Sequence, residues 1–191
     1  MSLQKINTRT IVLILMMLVI SVGRLISYEF PYQLSNFTPL GAIALFGGAY
    51  FADKWKAYLV VLATLFLSDI FINYLYTSKL ILLYSGAIWV YLPFLIMVFI
   101  GTFIKKINVV NIGAASLASV CVHWLISDLP WFYGTRYAHT LAGYGQSLVA
   151  AIPFERNMVL GDIVFCAILF GGFELAKSKY SILRSNKEFA I

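Results

Sequence analysis

Long apolar runs constrain this chain more than any other feature of its sequence. Hydrophobic residues make up 61% of its 191 residues and charged residues only 12%, about half the charged share of soluble domains. A helix of about 20 apolar residues is long enough to cross the hydrocarbon core of a bilayer. The sequence therefore predicts an all-α integral membrane protein with a single domain over residues 1–191.

Apolar run length predicts six transmembrane helices, the second of which is short. They lie at about 10–26, 38–52, 56–76, 86–104, 109–127 and 157–176. A further segment, 139–152, is more polar and is followed by Pro153, so we predict a separate interfacial or re-entrant helix there. The first run could also be a cleaved signal peptide, but apolar residues resume at Leu25, which favours a retained helix.

The basic residues are unevenly divided between the two sides of this topology. Six spans place both termini on one side, together with ten of the 14 lysines and arginines. These ten residues are Lys5, Arg9, Lys54, Lys56, Lys105, Lys106, Lys177, Lys179, Arg184 and Lys187. Because cytoplasmic loops are enriched in Lys and Arg, both termini are predicted to be cytoplasmic. The net charge of +6 is thereby explained by topology, and no nucleic-acid partner is predicted.

Several polar residues fall in the outer halves of the predicted spans. They are Arg24, Asp69, Asn73, His123, Asp128 and Asp162. A charge in hydrocarbon costs roughly 3 kcal/mol, so such residues usually face a cavity or pair with one another. We expect a water-accessible pocket open to the outside. The alternative is an internal ion pair, with Arg24 bridged to Asp69 or Asp162 as a structural link between helices.

The last outer loop, "DLPWFYGTRYAHT" (128–140), combines aromatic residues with an arginine and a histidine. We interpret it as a lid that stacks on a flat organic ligand, although an aromatic belt at the membrane surface is an alternative. The residues predicted to bind the ligand are Asn36, Thr38, Asp69, Asn73, Asp128, Trp131, Tyr133, Arg136 and Asp162. Lone histidines are more often hydrogen-bonded than metal-bound, so neither a metal nor a cofactor is predicted.

The short second span is rich in small residues. Gly41, Ala44 and Gly48 recur at spacings of three and four, which lets neighbouring helices approach closely. The segment is therefore expected to lie between neighbouring helices and to pack against protein, so it need not match the full bilayer. Asn36 is predicted to cap this helix, with Pro39 in its first turn.

Enzyme signatures are missing. The chain contains no GxSxG, HExxH, Walker or GxGxxG motif. Asp69 and Asp162 could form a catalytic pair of aspartates, but no surrounding motif supports this, and an enzyme is not predicted.

Three segments carry a resemblance to a known family. "SNFTPLGAIALFGGAYF" (35–51), "LSDIFIN" (67–73) and "AIPFERNMVLGDIVFCAILFG" (151–171) resemble small bacterial membrane proteins with an Asn-Phe-Thr-Pro motif that are described as transport proteins. That family in turn resembles the S-components of energy-coupling factor (ECF) vitamin transporters, the nearest being the cobalamin-specific one. The resemblance covers about residues 20–176.

The resemblance implies an S-component-like bundle of six helices in the bacterial inner membrane. Its expected function is the uptake of a small, vitamin-like organic molecule, either alone or with an energising transmembrane and ATPase module. Two family features are missing, an AxxxA face on the first span and a cysteine near the start of the fourth, where Ser85 stands nearest. The vitamin therefore stays open. The alternative function is a structural scaffold of the cell envelope without a ligand.

Overall fold

The fold is known from a computed structural model that describes residues 8–184, apart from the side chains of Pro130 and Phe132. Over this range the regular structure is entirely helical, which confirms the predicted all-α class. The α-helices are α1 (Thr8–Ser21), α2 (Arg24–Glu29), α3 (Leu40–Tyr50), α4 (Lys54–Thr77), α5 (Ala87–Gly101), α6 (Val109–Ser127), α7 (Leu141–Cys166) and α8 (Gly172–Lys179). Short 3-10 turns lie at Pro130–Tyr133 and Ser181–Leu183.

Four helical stretches within the described residues are long and apolar enough to cross a membrane. They are Thr8–Glu29, Lys54–Thr77, Val109–Ser127 and Leu141–Lys179. The apolar helices α3 and α5 are shorter, with 11 and 15 residues. At 1.5 Å per residue they reach about 16 and 22 Å, less than the hydrocarbon thickness of about 30 Å. The six predicted runs are all helical, but two of these helices are too short to span alone.

The C-terminal helix corrects one prediction. The interfacial helix expected over 139–152 and the last predicted span are parts of one helical stretch, Leu141–Lys179, in which a π-helical segment at Ala167–Gly171 joins α7 to α8. Pro153 lies inside α7 rather than ending it. A proline removes only one donor from the helix ladder, and the surrounding helices of a membrane bundle offset this loss.

Helix α3 lies at the centre of the bundle, and all of its residues except Ala49 are buried. Its closest neighbour is α5. A Cβ atom added to Gly48 would lie 2.2 Å from the Val98 carbonyl oxygen, and one added to Gly101 would lie 2.6 Å from the Leu45 carbonyl oxygen. The two backbones are therefore in direct contact, as the small residues of this segment predict.

Both ends of α3 face a residue of complementary charge. At its first turn the Asp162 carboxylate of α7 lies so close to Gly41 that an added Cβ would meet Oδ1 at 2.4 Å. At its last turn Lys54 Nζ donates to the Gly48 carbonyl oxygen at 2.8 Å. The partial charges of a helix dipole favour an anion at the N-terminus and a cation at the C-terminus, which stabilises a short helix within the bundle.

The predicted cap of α3 is wrong. The helix begins at Leu40 with Pro39 as its N-cap residue, and Asn36 lies in the preceding loop. Asn36 has a φ angle of 63°, in the left-handed region that asparagine tolerates better than most residues. Asn36 therefore turns the chain before the helix instead of capping it.

Candidate binding site

Two adjoining cavities lie at the end of the bundle that carries the loops 30–39 and 128–140. The small cavity has a volume of about 170 Å³ and lies between α2, α4, α5 and the loop before α3. The large cavity has a volume of about 400 Å³ and lies between α6, α7 and the 128–140 loop. Asn36, Val90 and His123 line both cavities, so the two are neighbours in one polar region.

The loop before α3 is held in place by side chains of two helices. Ser27 Oγ of α2 donates to the carbonyl oxygens of Leu34 and Phe37 at 2.8 and 2.7 Å. Asn157 Nδ2 of α7 donates to the carbonyl oxygens of Gln33 and Ser35 at 2.9 and 3.0 Å. These bonds supply donors to four carbonyl groups of the loop, and they position the wall of both cavities.

Arg24 and Asp69 form an ion pair beside the small cavity. Arg24 Nη1 lies 2.7 Å from Asp69 Oδ1 and also donates to Ser68 Oγ. Both side chains are mostly buried, and Arg24 lines the small cavity. Burial, together with the Asp69 charge, raises the pKa of Tyr84 in the neighbouring loop to about 12. Asp69 therefore has a cationic partner on another helix, as the structural alternative predicted.

His123 and Glu155 form a second buried pair, which links α6 to α7. His123 Nδ1 lies 2.9 Å from Glu155 Oε1. The exposed fractions are 9% for His123 and 6% for Glu155, and both residues line the large cavity. Within the described part of the chain, the second carboxylate oxygen, Oε2, has no hydrogen-bond partner. One oxygen each of Asp69 and Asp162 likewise has no partner there, but of these three carboxylates only Glu155 lines the large cavity.

Asp128 contributes another carboxylate to the large cavity. Its Oδ1 accepts a hydrogen bond from Tyr133 OH at 2.6 Å. Burial raises the pKa of Asp128, and the hydrogen bond from Tyr133 opposes that rise in part. The pKa of Tyr133 is raised as well, chiefly by burial and then by its bond to Asp128. This bond ties the 128–140 loop to the end of α6.

Helices α6 and α7 are joined by further polar contacts behind the large cavity. Trp124 Nε1 donates to the Leu148 carbonyl oxygen at 2.9 Å. Tyr144 OH donates to the Leu125 carbonyl oxygen at 2.6 Å. Ser147 Oγ donates to the backbone carbonyl oxygen of Asp128, also at 2.6 Å. The first turns of α7 are thus fixed on the last turns of α6, which gives the large cavity a firm wall.

The predicted site residues divide into two groups. Five line the cavities: Asn36, Thr38, Asp128, Tyr133 and Arg136. The other four line neither cavity: Asp69, Asn73, Trp131 and Asp162.

Each residue of the second group has a different environment. Asp69 is paired with Arg24, as described above. Asn73 is half-buried on α4. Trp131 is 57% exposed, and its ring stacks on His139 with a centroid distance of 5.1 Å. Trp131 therefore lies outside the cavities although its loop covers the large one.

Asp162 is fully buried at a deeper level than the two cavities. Its Oδ2 accepts a hydrogen bond from Ser116 Oγ at 2.8 Å, and its carboxylate faces Gly41. It also borders an apolar groove of about 640 Å³ between α6 and α7. Asp69 and Asp162 thus have different partners, which gives no support to the pair of catalytic aspartates.

Sequence reasoning missed Glu155, because Pro153 was taken as the end of a helix. The buried residues of α7 include Ala151, Glu155, Met158 and Asp162, at spacings of four, three and four. This is one face of a continuous helix. Reading the helical period through Pro153 would have placed Glu155 on the same face as Asp162, two turns earlier.

The histidines give no sign of a metal centre. In the part of the chain that the structure describes, no group of three or more His, Cys, Asp or Glu side chains could hold a metal ion. His139 Nε2 lies 3.0 Å from the Gly134 carbonyl oxygen, and His123 is paired with Glu155. The two cysteines, Cys121 and Cys166, are free.

Comparison with known proteins places the whole bundle in one family. Residues 4–185 match the family of unknown function DUF6580. This chain is a member of DUF6580. No curated protein and no solved structure matches the chain. The family match covers every helix and both cavities, so the cavity-forming segments belong to the matched region of this DUF6580 member.

Proposed function

We propose that this DUF6580 member is a membrane protein that captures a small, vitamin-like organic molecule from the outer side, in the manner of an ECF S-component. The observation that carries the proposal is the pair of adjoining cavities, of about 170 and 400 Å³, at one end of the bundle. Small-molecule sites are concave and have a few polar groups among apolar walls. Glu155, which lines the large cavity, adds a carboxylate oxygen that has no hydrogen-bond partner within the described residues.

The charge distribution supports the orientation. Basic residues of the described chain concentrate at the end opposite the cavities, among them Lys54, Lys105, Lys106 and Lys177. By the positive-inside rule that end faces the cytoplasm. The cavities therefore open to the outer side, and both termini lie on the cytoplasmic side of the bacterial inner membrane. Lys5 and Lys187, which contribute to this prediction, lie outside the described residues. In this topology α3 and α5 act together with their neighbours as the second and fourth of six spans.

Site-directed labelling tests the orientation. Tyr32, which is 95% exposed at the cavity end, and Lys105, which is exposed at the other end, are each replaced by cysteine. A membrane-impermeant maleimide applied to intact spheroplasts should label Tyr32→Cys and not Lys105→Cys, and detergent should make both reactive. The exposed native Cys121 is first replaced by serine as a background control. Labelling of Lys105→Cys in intact spheroplasts would reverse the orientation and exclude capture from outside.

A ligand screen tests the binding function. Purified full-length protein in detergent is heated with a library of vitamins, their precursors and nucleobases, and its unfolding temperature is recorded. A ligand at 100 times its Kd should stabilise the protein by about 2.7 kcal/mol, a shift of several degrees. Loss of that shift in Asn36→Gly, which removes the side chain but keeps the left-handed backbone conformation, with the unfolding temperature of the free protein close to that of the unaltered protein, would locate the ligand at the cavities. No stabilisation by any compound in the library would contradict the proposal.

The second candidate function is a structural scaffold of the cell envelope. The observation that favours it is the pairing of buried polar side chains between helices: Arg24 with Asp69, and His123 with Glu155. A scaffold uses such pairs to join helices and needs no free polar group in a cavity. Co-purification of a stoichiometric envelope protein from cells, without any small-molecule ligand found in the screen, would favour this alternative. If the ligand requires an energising module, an ATPase should co-purify instead.

A further inference from the structure

The buried part of the large cavity carries more negative than positive charge. Glu155 and Asp128 reach it from α7 and the end of α6, and both are at least nine-tenths buried. The one arginine among its lining residues, Arg136, is exposed on the loop, and its guanidinium lies 5.8 Å from the Tyr137 ring centroid. His123 is engaged with Glu155. An anion placed in this cavity would lie beside two carboxylates, whereas a cation would be attracted by both.

The geometry of Glu155 indicates a missing hydrogen-bond donor. Its Oε1 is within hydrogen-bond distance of His123 Nδ1, but in the described part of the chain nothing donates to its buried Oε2. A buried acceptor without a donor costs roughly 1–3 kcal/mol, and more when the acceptor is charged. A protonated amine carries up to three N–H donors and a positive charge. It therefore supplies both the missing donor to Oε2 and a charge opposite to that of the carboxylate.

The rest of the lining suits the organic part of such a ligand. Tyr133, Tyr137, Phe154 and Val90 contribute aromatic and aliphatic surface to the same cavity. Aromatic faces attract ammonium groups by cation–π interaction, and they also remove apolar surface from water. The volume of about 400 Å³ falls within the usual range for small-molecule sites.

We propose that the large cavity binds the protonated amine of a small organic molecule, with Glu155 and Asp128 as its acceptors. This inference rests on the proposed binding function and names the chemical class of the ligand. The ammonium donates to Glu155 Oε2 in the buried part of the cavity, while the apolar part of the molecule lies against the aromatic side chains. His123 holds the Glu155 carboxylate in place from the other side.

Three probes with the same phenyl ring and different charge test the proposal: 2-phenylethylamine, 2-phenylethanol and 3-phenylpropionate. Each is titrated calorimetrically into the purified full-length protein at pH 7. We expect the amine to bind about tenfold or more tightly than the other two, which corresponds to about 1.4 kcal/mol. Glu155→Gln and Asp128→Asn should each weaken amine binding about tenfold and leave binding of the alcohol unchanged. Glu29→Gln, which alters an exposed carboxylate of α2 that lines neither cavity, should have no effect.

The outcomes separate this inference from the binding function itself. If the alcohol or the carboxylate binds as well as the amine, the preference for a cation is wrong, although the cavity binds small molecules. If no probe binds, the amine inference is overturned, and the vitamin screen decides independently whether the cavities bind anything. If Glu155→Gln does not fold, the inference is still tested by two measurements. They are the preference of the unaltered protein for the amine over the alcohol and the carboxylate, and the effect of Asp128→Asn on amine binding.

Discussion

The two ends of the bundle are built in different ways. At the end near residues 51–53 the interior is closed by an aromatic cluster of Phe46, Tyr50, Phe170 and Phe173, with ring centroids 4.7 to 5.7 Å apart. At the cavity end the helices are linked by hydrogen bonds and ion pairs instead. The dense packing leaves no space between these four rings, whereas the polar links at the other end border the two cavities and supply partners for a ligand.

The contrast separates the region that makes the bundle rigid from the region that has space for a ligand. Backbone contact between α3 and α5 fixes the centre of the bundle, and the cavity end is assembled on that support. Binding sites work best when a rigid scaffold positions the groups that contact the ligand. Substitutions in the two regions should therefore act by different mechanisms. Those in the packed region should disturb the packing that stabilises the fold, and those at the cavity end should leave polar partner groups unpaired.

The largest effect is expected from breaking the Arg24–Asp69 pair at the cavity end. Arg24→Gln leaves the Asp69 carboxylate buried without its cation, at a cost of about 3 kcal/mol or more in the free energy of unfolding. The double variant Arg24→Gln with Asp69→Asn should recover a large part of that loss. Chemical unfolding in detergent measures both. Equal losses in the single and double variants would show that the pair does not hold this end together.

A glycine substitution tests the packed region next. Gly48→Ala places a Cβ 2.2 Å from the Val98 carbonyl oxygen, and the backbones of α3 and α5 must separate. Overpacking of this kind costs about 1–3 kcal/mol in unfolding free energy. Gly113→Ala is the matched control, since its Cβ meets nothing within 4 Å, and it should be neutral or slightly stabilising. Similar effects of both substitutions would mean that the α3–α5 contact is not close.

Removing one hydroxyl tests how the 128–140 loop is anchored. Tyr133→Phe deletes the donor to Asp128 Oδ1 and should cost about 1 kcal/mol. The loop should also become more susceptible to proteolysis at its exposed residues. Tyr32→Phe, at a position that is 95% exposed, serves as the control and should change neither property. An unaltered cleavage rate in Tyr133→Phe would show that the loop is fixed by other contacts.

The smallest effect is a pH dependence at the cavity end. Because burial raises the pKa of Asp128 in the folded protein above its unfolded value of about 3.8, the folded state is favoured relative to the unfolded state when this carboxyl is protonated. This contribution is fully present below the unfolded pKa and is lost as pH rises through the folded pKa. The stability of the unaltered protein relative to Asp128→Asn should therefore decline over that window. A relative stability that rises with pH would contradict the burial of Asp128.

Much of the helical framework could be predicted from run length. The expected spans 56–76 and 109–127 agree with α4 (Lys54–Thr77) and α6 (Val109–Ser127) within two residues at each end. The 139–152 prediction failed because a local signal, proline, was given more weight than the continuous buried face that runs past it. Charged positions in apolar runs were recognised correctly as unusual, but their partners were not determined by position in the chain.

That this chain is apolar, helical and suited to a membrane follows from its residues alone, because the energy of apolar and charged groups in hydrocarbon depends on residue type and run length. The packing of the helices in three dimensions brings Glu155 to His123, places Asp162 at the start of α3, and leaves Trp131 outside the cavities. Those arrangements depend on how helices distant in sequence pack side by side. Close approach at residues such as Gly48 sets that packing, and with it the space left for a ligand.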